Sequence, residues 1–232
     1  MTRKWSLGVI VLMASQVVAQ DGSWQEVLLL EGVRDVRVVQ AMERVRRSDF
    51  LPTSQKRFAM DDRPLDIGHG QTTSQPSLIG LMLQELKLQP GCSVLEVGTG
   101  SGYQTALLAE LCEHVYSLEL IEPLAREAEA RLEATGYSNA LVKAGDGYEG
   151  WPEHAPFDAI IVCASAPKVP APLLRQLKPG GRLVIPVGGA DDSRLLVFEK
   201  DAAGKVSQAR GIAVRFVPLQ GEAADRDRDA GR

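Results

Sequence analysis

The run Val94-Leu95-Glu96-Val97-Gly98-Thr99-Gly100-Ser101-Gly102 sets an apolar strand directly before a glycine-rich turn. Glycine has no Cβ, so such a turn lets a ligand lie against the backbone. The spacing is GxGxG, and Tyr103 stands where a dinucleotide fingerprint has its third glycine, which disfavours a nicotinamide site. The turn also lacks the GK[ST] ending of a phosphate-binding loop, so no triphosphate cradle is expected. Glu119 falls at the end of the next strand candidate, where a carboxylate can reach over the turn and accept from both hydroxyls of a ribose. Gly145-Asp146-Gly147 follows the third strand candidate and offers a carboxylate and open backbone amides to a flat ring. Each feature alone has a plainer reading as a connection, a solvated carboxylate or a tight turn. Together, at successive strand ends, they converge on one crevice, the usual ligand position of an open α/β sheet.

The elements that must position these residues can be read from periodicity. From Ser93 onward short β-rich runs alternate with helical stretches, which predicts a mostly parallel sheet with helices on both faces. Expected strands are Ser93–Val97, His114–Leu118, Ala140–Lys143, Phe157–Cys163 and Gly181–Pro186; expected helices are Tyr103–Leu111, Glu122–Thr135 and Val169–Leu177. Arg194–Glu199 and Gly211–Val217 follow as antiparallel edge strands. Upstream, residues 24–50 read as mainly helical, with Val33, Val36, Val39, Met42 and Val45 on one face. Residues 53–73 read as loop. A helix is expected from Ser74, as N-cap, to about Leu88, with Pro76 in its first turn. The domain expectation is an extension over 1–23, one unit over 24–219 (a helical part 24–92 and a cofactor-binding sheet 93–219), and a disordered tail over 220–232.

The glycine turn with its acidic followers resembles the class I S-adenosylmethionine-dependent methyltransferases. A second set of residues narrows the resemblance. The segment Asp62-Arg63-Pro64-Leu65-Asp66-Ile67-Gly68-His69-Gly70-Gln71-Thr72-Thr73-Ser74-Gln75-Pro76 is similar to the one preceding the cofactor domain in protein-L-isoaspartate O-methyltransferases. So are the runs Glu96–Gln104, Phe157–Pro167, Leu177–Gly188 and Arg215–Leu219, and the likeness extends over roughly Trp24 to Leu219. The sequence departs from the family at Thr73, usually Ile, at Ser77, usually bulkier, and at Cys163 and Ser165, usually Thr or Ala; these changes bear on substrate fit.

The resemblance implies an α/β, Rossmann-like class I methyltransferase fold with an N-terminal helical segment. It implies S-adenosyl-L-methionine as cofactor and isoaspartyl-containing proteins and peptides as substrates. Ser74 is then the catalytic residue, and Thr72, Thr73, Glu96, Gly98, Thr99, Gly100, Ser101, Gly102, Glu119, Asp146 and Gly147 bind the cofactor. Such a reaction needs no general base, because the acceptor carboxylate titrates near about 3.5 and is already ionised. His69 is accordingly read as a loop or packing residue. The alternatives are a methyltransferase with a small-molecule acceptor and a non-catalytic protein that binds S-adenosylmethionine.

The bulk properties exclude other classes. A chain of 232 residues suits one domain that needs no staple. A net charge of −4 argues against nucleic acid as a partner. The three cysteines, Cys92, Cys112 and Cys163, form no CxxC pair and no zinc cluster, and are expected to be reduced and partly buried. No metal site is expected, and the chain is expected to be a monomer. Residues 1–19 carry a basic start, an apolar centre and a small-residue site at Val17-Val18-Ala19, the layout of a secretory signal. The apolar run is too short to anchor the chain in a membrane. The methyl donor is cytoplasmic and the cysteine count is odd, so the expected compartment is the cytoplasm, with the periplasm as alternative.

Overall fold

The computed structural model describes residues 23–189, 192–209 and 211–221; the signal-like segment and nearly all of the C-terminal tail lie outside these. The N-terminal part opens with α1 (Gln25–Leu30) and α2 (Val36–Arg44). They are two helices, not one run, because the chain turns at Gly32 with φ +96. Asp35 then caps α2 by accepting from the Arg37 amide at 2.9 Å. The buried stripe also differs from the expected one. Val36 is 65% exposed, and the core face is Val38, Ala41, Met42 and Val45. Those positions follow the i, i+3, i+4, i+7 spacing of a 3.6-residue period, whereas a strict three-residue spacing drifts off the face.

Residues 53–73 are more ordered than the loop expected there. Within them β1 (Leu65–Gly68) and β2 (Gln71–Thr73) form an antiparallel hairpin. Its tip, Gly68-His69-Gly70, has positive φ at all three residues. β1 does alternate, with Leu65 and Ile67 turned inward, but over four residues, and β2 has only three, too short to register as periodic. Helix α3 (Pro76–Leu86) follows, with Pro76 in its first turn. Ser74 is not its cap, contrary to expectation. The position falls to Gln75, and the side chain that serves the helix end is Asp62, which accepts from the Ser77 amide at 2.8 Å. A cap supplied from this far upstream leaves no local sequence signal.

The rest forms the sheet. Strand β3 (Ser93–Val97) leads to α4 (Tyr103–Leu111), β4 (His114–Glu119), α5 (Glu122–Ala134), β5 (Ala140–Ala144), β6 (Phe157–Val162), α6 (Ala171–Gln176), β7 (Leu177–Gly189), β8 (Asp192–Lys200), β9 (Val206–Ala209) and β10 (Ala213–Val214). The order is β10-β8-β7-β6-β3-β4-β5, with β9 also paired to β8. Strands β7, β6, β3, β4 and β5 are parallel, and β8 joins antiparallel to β7. The expected edge pairing of the last strands is present, but Gly211–Val217 contributes only the two residues of β10, and β9 adds a short polar strand that its sequence does not announce. Both faces of the centre are covered. On β3, Val94 packs with α2, α3 and α4, while Leu95 and Val97 pack with β6 and α6 on the other side. Two-sided burial explains why β3 and β6 are mostly apolar rather than alternating, with Glu96 and Asp158 as their charged exceptions.

One expectation about the cysteines is overturned. Cys92 and Cys112 form a disulfide, with Cα atoms 4.8 Å apart, and Cys163 is free. Cys92 immediately precedes β3, and Cys112 ends the helix that runs back along it. The β-turn-α unit therefore returns the second cysteine beside the first, at a spacing no sequence motif marks.

Candidate active site

The crevice opens where β3 has β4 on one side and β6 on the other, above the strands' C-terminal ends, the switch point at which open sheets take ligands. The glycine turn forms its floor. Gly98 N donates to Leu118 O at 2.8 Å, and Gly100 N donates to Glu119 Oε2 at 2.9 Å. Gly100 has φ +56, a conformation L-residues rarely adopt. Gly147 answers a different demand: a Cβ there would lie 2.3 Å from Val97 Cγ1, so only glycine lets the third turn approach β3.

Behind the floor stands Glu96, with no exposed surface. Its carboxylate accepts from Gln104 Nε2 at 2.9 Å, Thr105 Oγ1 at 2.5 Å and Ser117 Oγ at 2.6 Å. Burial pushes its pKa up to about 7, against the pull of those three donors. Ser117 also bonds Thr99 Oγ1 at 2.6 Å, so the network ties the glycine turn to β4. Gln104 Nε2 further reaches Cys163 Sγ at 2.9 Å. Burial raises the Cys163 thiol well above its ordinary value, and the Glu96 carboxylate adds to the effect. Cys163 is thus a thiol, not a nucleophilic thiolate.

The hairpin β1–β2 roofs the crevice. Of the residues singled out in the sequence, Thr72, Thr73, Ser74, Gly98, Thr99, Gly100, Ser101, Glu119 and Gly147 all line this one pocket. Glu96, Gly102 and Asp146 do not. Glu96 lies beneath it, and Gly102 faces α5, where a Cβ would lie 3.5 Å from Ala128. Asp146 accepts from the Tyr148 amide at 2.9 Å and lies against Gly221. The wall also includes Gln104, Cys163 and the strap Val217–Gln220, which motif spacing did not mark as pocket residues. Gln104 sits one position into α4, where the chain reads as helix interior. The strap reaches the pocket only through tertiary pairing, with Leu219 N donating to Ser165 O at 2.7 Å. His69 stands at the hairpin tip, 3.6 Å from Glu127. Among the described residues no cluster of His, Cys, Asp and Glu could hold a metal, and no helix is long and apolar enough to cross a membrane.

A mostly parallel sheet with this crevice defines a Rossmann-like class I methyltransferase. The sequence model of the protein-L-isoaspartate(D-aspartate) O-methyltransferase family matches residues 25–224, and the chain belongs to that family. A protein-L-isoaspartate O-methyltransferase 2 of Polaromonas sp. is 52% identical over 81% of this chain and 90% of its own length. A protein-L-isoaspartate O-methyltransferase of Myxococcus xanthus is 47% identical over 87% of this chain and 97% of its own. Among solved structures, a Plasmodium falciparum protein described as a protein-L-isoaspartate O-methyltransferase, in complex with S-adenosyl-L-homocysteine, superposes with a TM-score of 0.76 at 28% identity, covering 86% of this chain and 97% of the other.

Proposed function

We propose that this chain transfers a methyl group from S-adenosyl-L-methionine to the free α-carboxylate of L-isoaspartyl residues in damaged proteins and peptides. The observation that carries this is one shared pocket, lined both by the segment Thr72–Ser74 and by the glycine turn Gly98–Ser101. The residues fit the donor. Gly98 and Gly100 hold the turn at positive φ along the pocket, Gly147 packs against Val97 where a Cβ could not, and Glu119 supplies the carboxylate a ribose would take.

S-adenosylmethionine supplies a methyl group on a sulfonium. The chain's own task is alignment. Gly98, Thr99, Gly100 and Ser101 carry the donor, Glu119 fixes its ribose, and Gly147 bounds its base. Glu96, Gly102 and Asp146 act from behind, by shaping these turns. Ser74 holds the acceptor carboxylate through its hydroxyl, which makes no hydrogen bond to the protein among the described residues. Thr72 and Thr73 bound the donor from the hairpin, and with the strap Val217–Gln220 they exclude water. Alignment of this kind accounts for most of what such a transfer needs, since no proton has to move. The chain acts as a monomer on proteins and peptides, without nucleic acid.

The cytoplasm is where the methyl donor is made, and we place the chain there. The Cys92–Cys112 disulfide favours a second reading, export to an oxidising compartment, because such bonds are rare in the cytoplasm. Cell fractionation with N-terminal sequencing separates the two: a mature chain beginning near Gln20 outside the inner membrane selects export.

Calorimetric titration with S-adenosylmethionine, followed by an acceptor panel, tests the function. Donor binding and transfer to an isoaspartyl peptide are the expected results. Transfer only to small acceptors, or no donor binding at all, would overturn it.

A further inference from the structure

Arg47 is 1% exposed, yet its hydrogen bonds all go to backbone carbonyls. Nη1 donates to Asp61 O at 2.9 Å and Ala59 O at 3.4 Å; Nη2 donates to Arg63 O at 3.0 Å and Ser74 O at 3.2 Å. Nε has no partner. The carbonyls belong to the two limbs of one loop. Ala59, Asp61 and Arg63 lie on the limb that enters the hairpin β1–β2, and Ser74 on the limb that leaves it. The guanidinium therefore pins the neck of the loop, and Thr72 and Thr73 hang from it over the pocket.

Asp62 secures the outgoing limb a second time. It is 2% exposed and accepts from Gln75 Nε2 and the Ser77 amide, each at 2.8 Å. Ser74 is thus held at its own carbonyl by Arg47 and just downstream by Asp62. Burying a cation is costly, and packing alone would be met by an apolar side chain of similar size. Here the cation is spent on the loop that carries Ser74. Burial lowers its pKa to about 10, so it stays charged at neutral pH. A planar fork reaches carbonyls on both limbs at once, which the compact ammonium of lysine cannot do.

We propose that Arg47 is a positioning residue for methyl transfer: its guanidinium fixes the neck of the 59–74 loop and so sets where Ser74 stands over the glycine turn. The inference rests on the reading above, in which Ser74 holds the acceptor carboxylate.

The test compares wild type with Arg47→Lys, which keeps the buried cation but loses the fork, and with Arg47→Gln as a second variant. Turnover of an isoaspartyl peptide at saturating donor is counted per site that binds S-adenosylhomocysteine, so unfolded molecules do not enter. The expected result is a kcat about 100-fold lower, the scale of a misplaced reacting group, with S-adenosylhomocysteine Kd within about threefold of wild type. A purely structural role would lower the melting temperature and leave per-site kcat unchanged, and that result overturns the inference. So does a loss of S-adenosylhomocysteine affinity by the same factor as kcat, which would mean general collapse of the pocket. Wild-type turnover with unchanged variant turnover removes the Arg47 inference alone. Absent wild-type turnover removes the functional reading, and the Arg47 role with it.

Discussion

Glu119 Oε2 accepts a hydrogen bond from the Gly100 amide at 2.9 Å, so the carboxylate at the end of β4 and the middle of the glycine turn are one unit. Glu119 Oε1 also accepts from the Ile121 amide at 3.1 Å. The side chain is therefore oriented by the backbone on both sides before any ligand arrives. Glu119→Ala should weaken S-adenosylhomocysteine binding by about 1–3 kcal/mol, the scale for a hydrogen bond to a charged group. Gly100→Val should abolish binding, because a β-branched residue is forced to φ +56 beside Ile67. Calorimetry on both variants checks this; wild-type affinity in both would mean the site is elsewhere.

Ser74 does not cap α3, so its role is separable from helix stability. Ser74→Ala should keep S-adenosylhomocysteine affinity and the melting temperature while losing methyl transfer by at least about 100-fold. Steady-state kinetics with an isoaspartyl peptide decides. Unchanged turnover would leave Ser74 as pocket lining only.

Glu96 sets a pH dependence of stability. Its folded pKa, about 7, lies above its ordinary value of 4.5. The folded state then binds more protons than the unfolded one between those values. The cost is absent below about pH 4.5, grows as pH rises through the window, and is complete above about pH 7, on the order of 3 kcal/mol. Glu96→Gln should flatten the decline of stability across this range in urea melts taken from pH 5 to 7.5. An identical slope in the variant would show that another group causes the decline.

Cys92 and Cys112 close a loop that contains all of β3, the glycine turn and α4. Replacing both with serine should cost about 3 kcal/mol, the scale for a loop of this length. Thiol titration of the denatured, unreduced protein should find only Cys163. Three titrating thiols would mean the bond does not form.

Most of the sheet was legible because its signals are local. Val94–Val97 and Phe157–Val162 are largely apolar segments of strand length, and Tyr103–Leu111 has the bounds expected of it. The glycine turn and Glu119 were found because fold topology ties both to strand ends. What escaped depends on contacts between distant residues. Asp62 caps a helix 15 positions downstream, Cys92 meets Cys112 only after β3 and α4 have folded back, and Gly102 faces α5 rather than the pocket. No local signal marks Arg47 for burial, which follows from the loop wrapped around it.

The most direct test of the account is transfer of radiolabelled methyl from S-adenosylmethionine to a synthetic isoaspartyl peptide, with its aspartyl twin as control. The crevice, lined by Ser74 and the glycine turn together, predicts base-labile label on the isoaspartyl peptide and none above background on the twin. Equal labelling of both, or of neither, would contradict it.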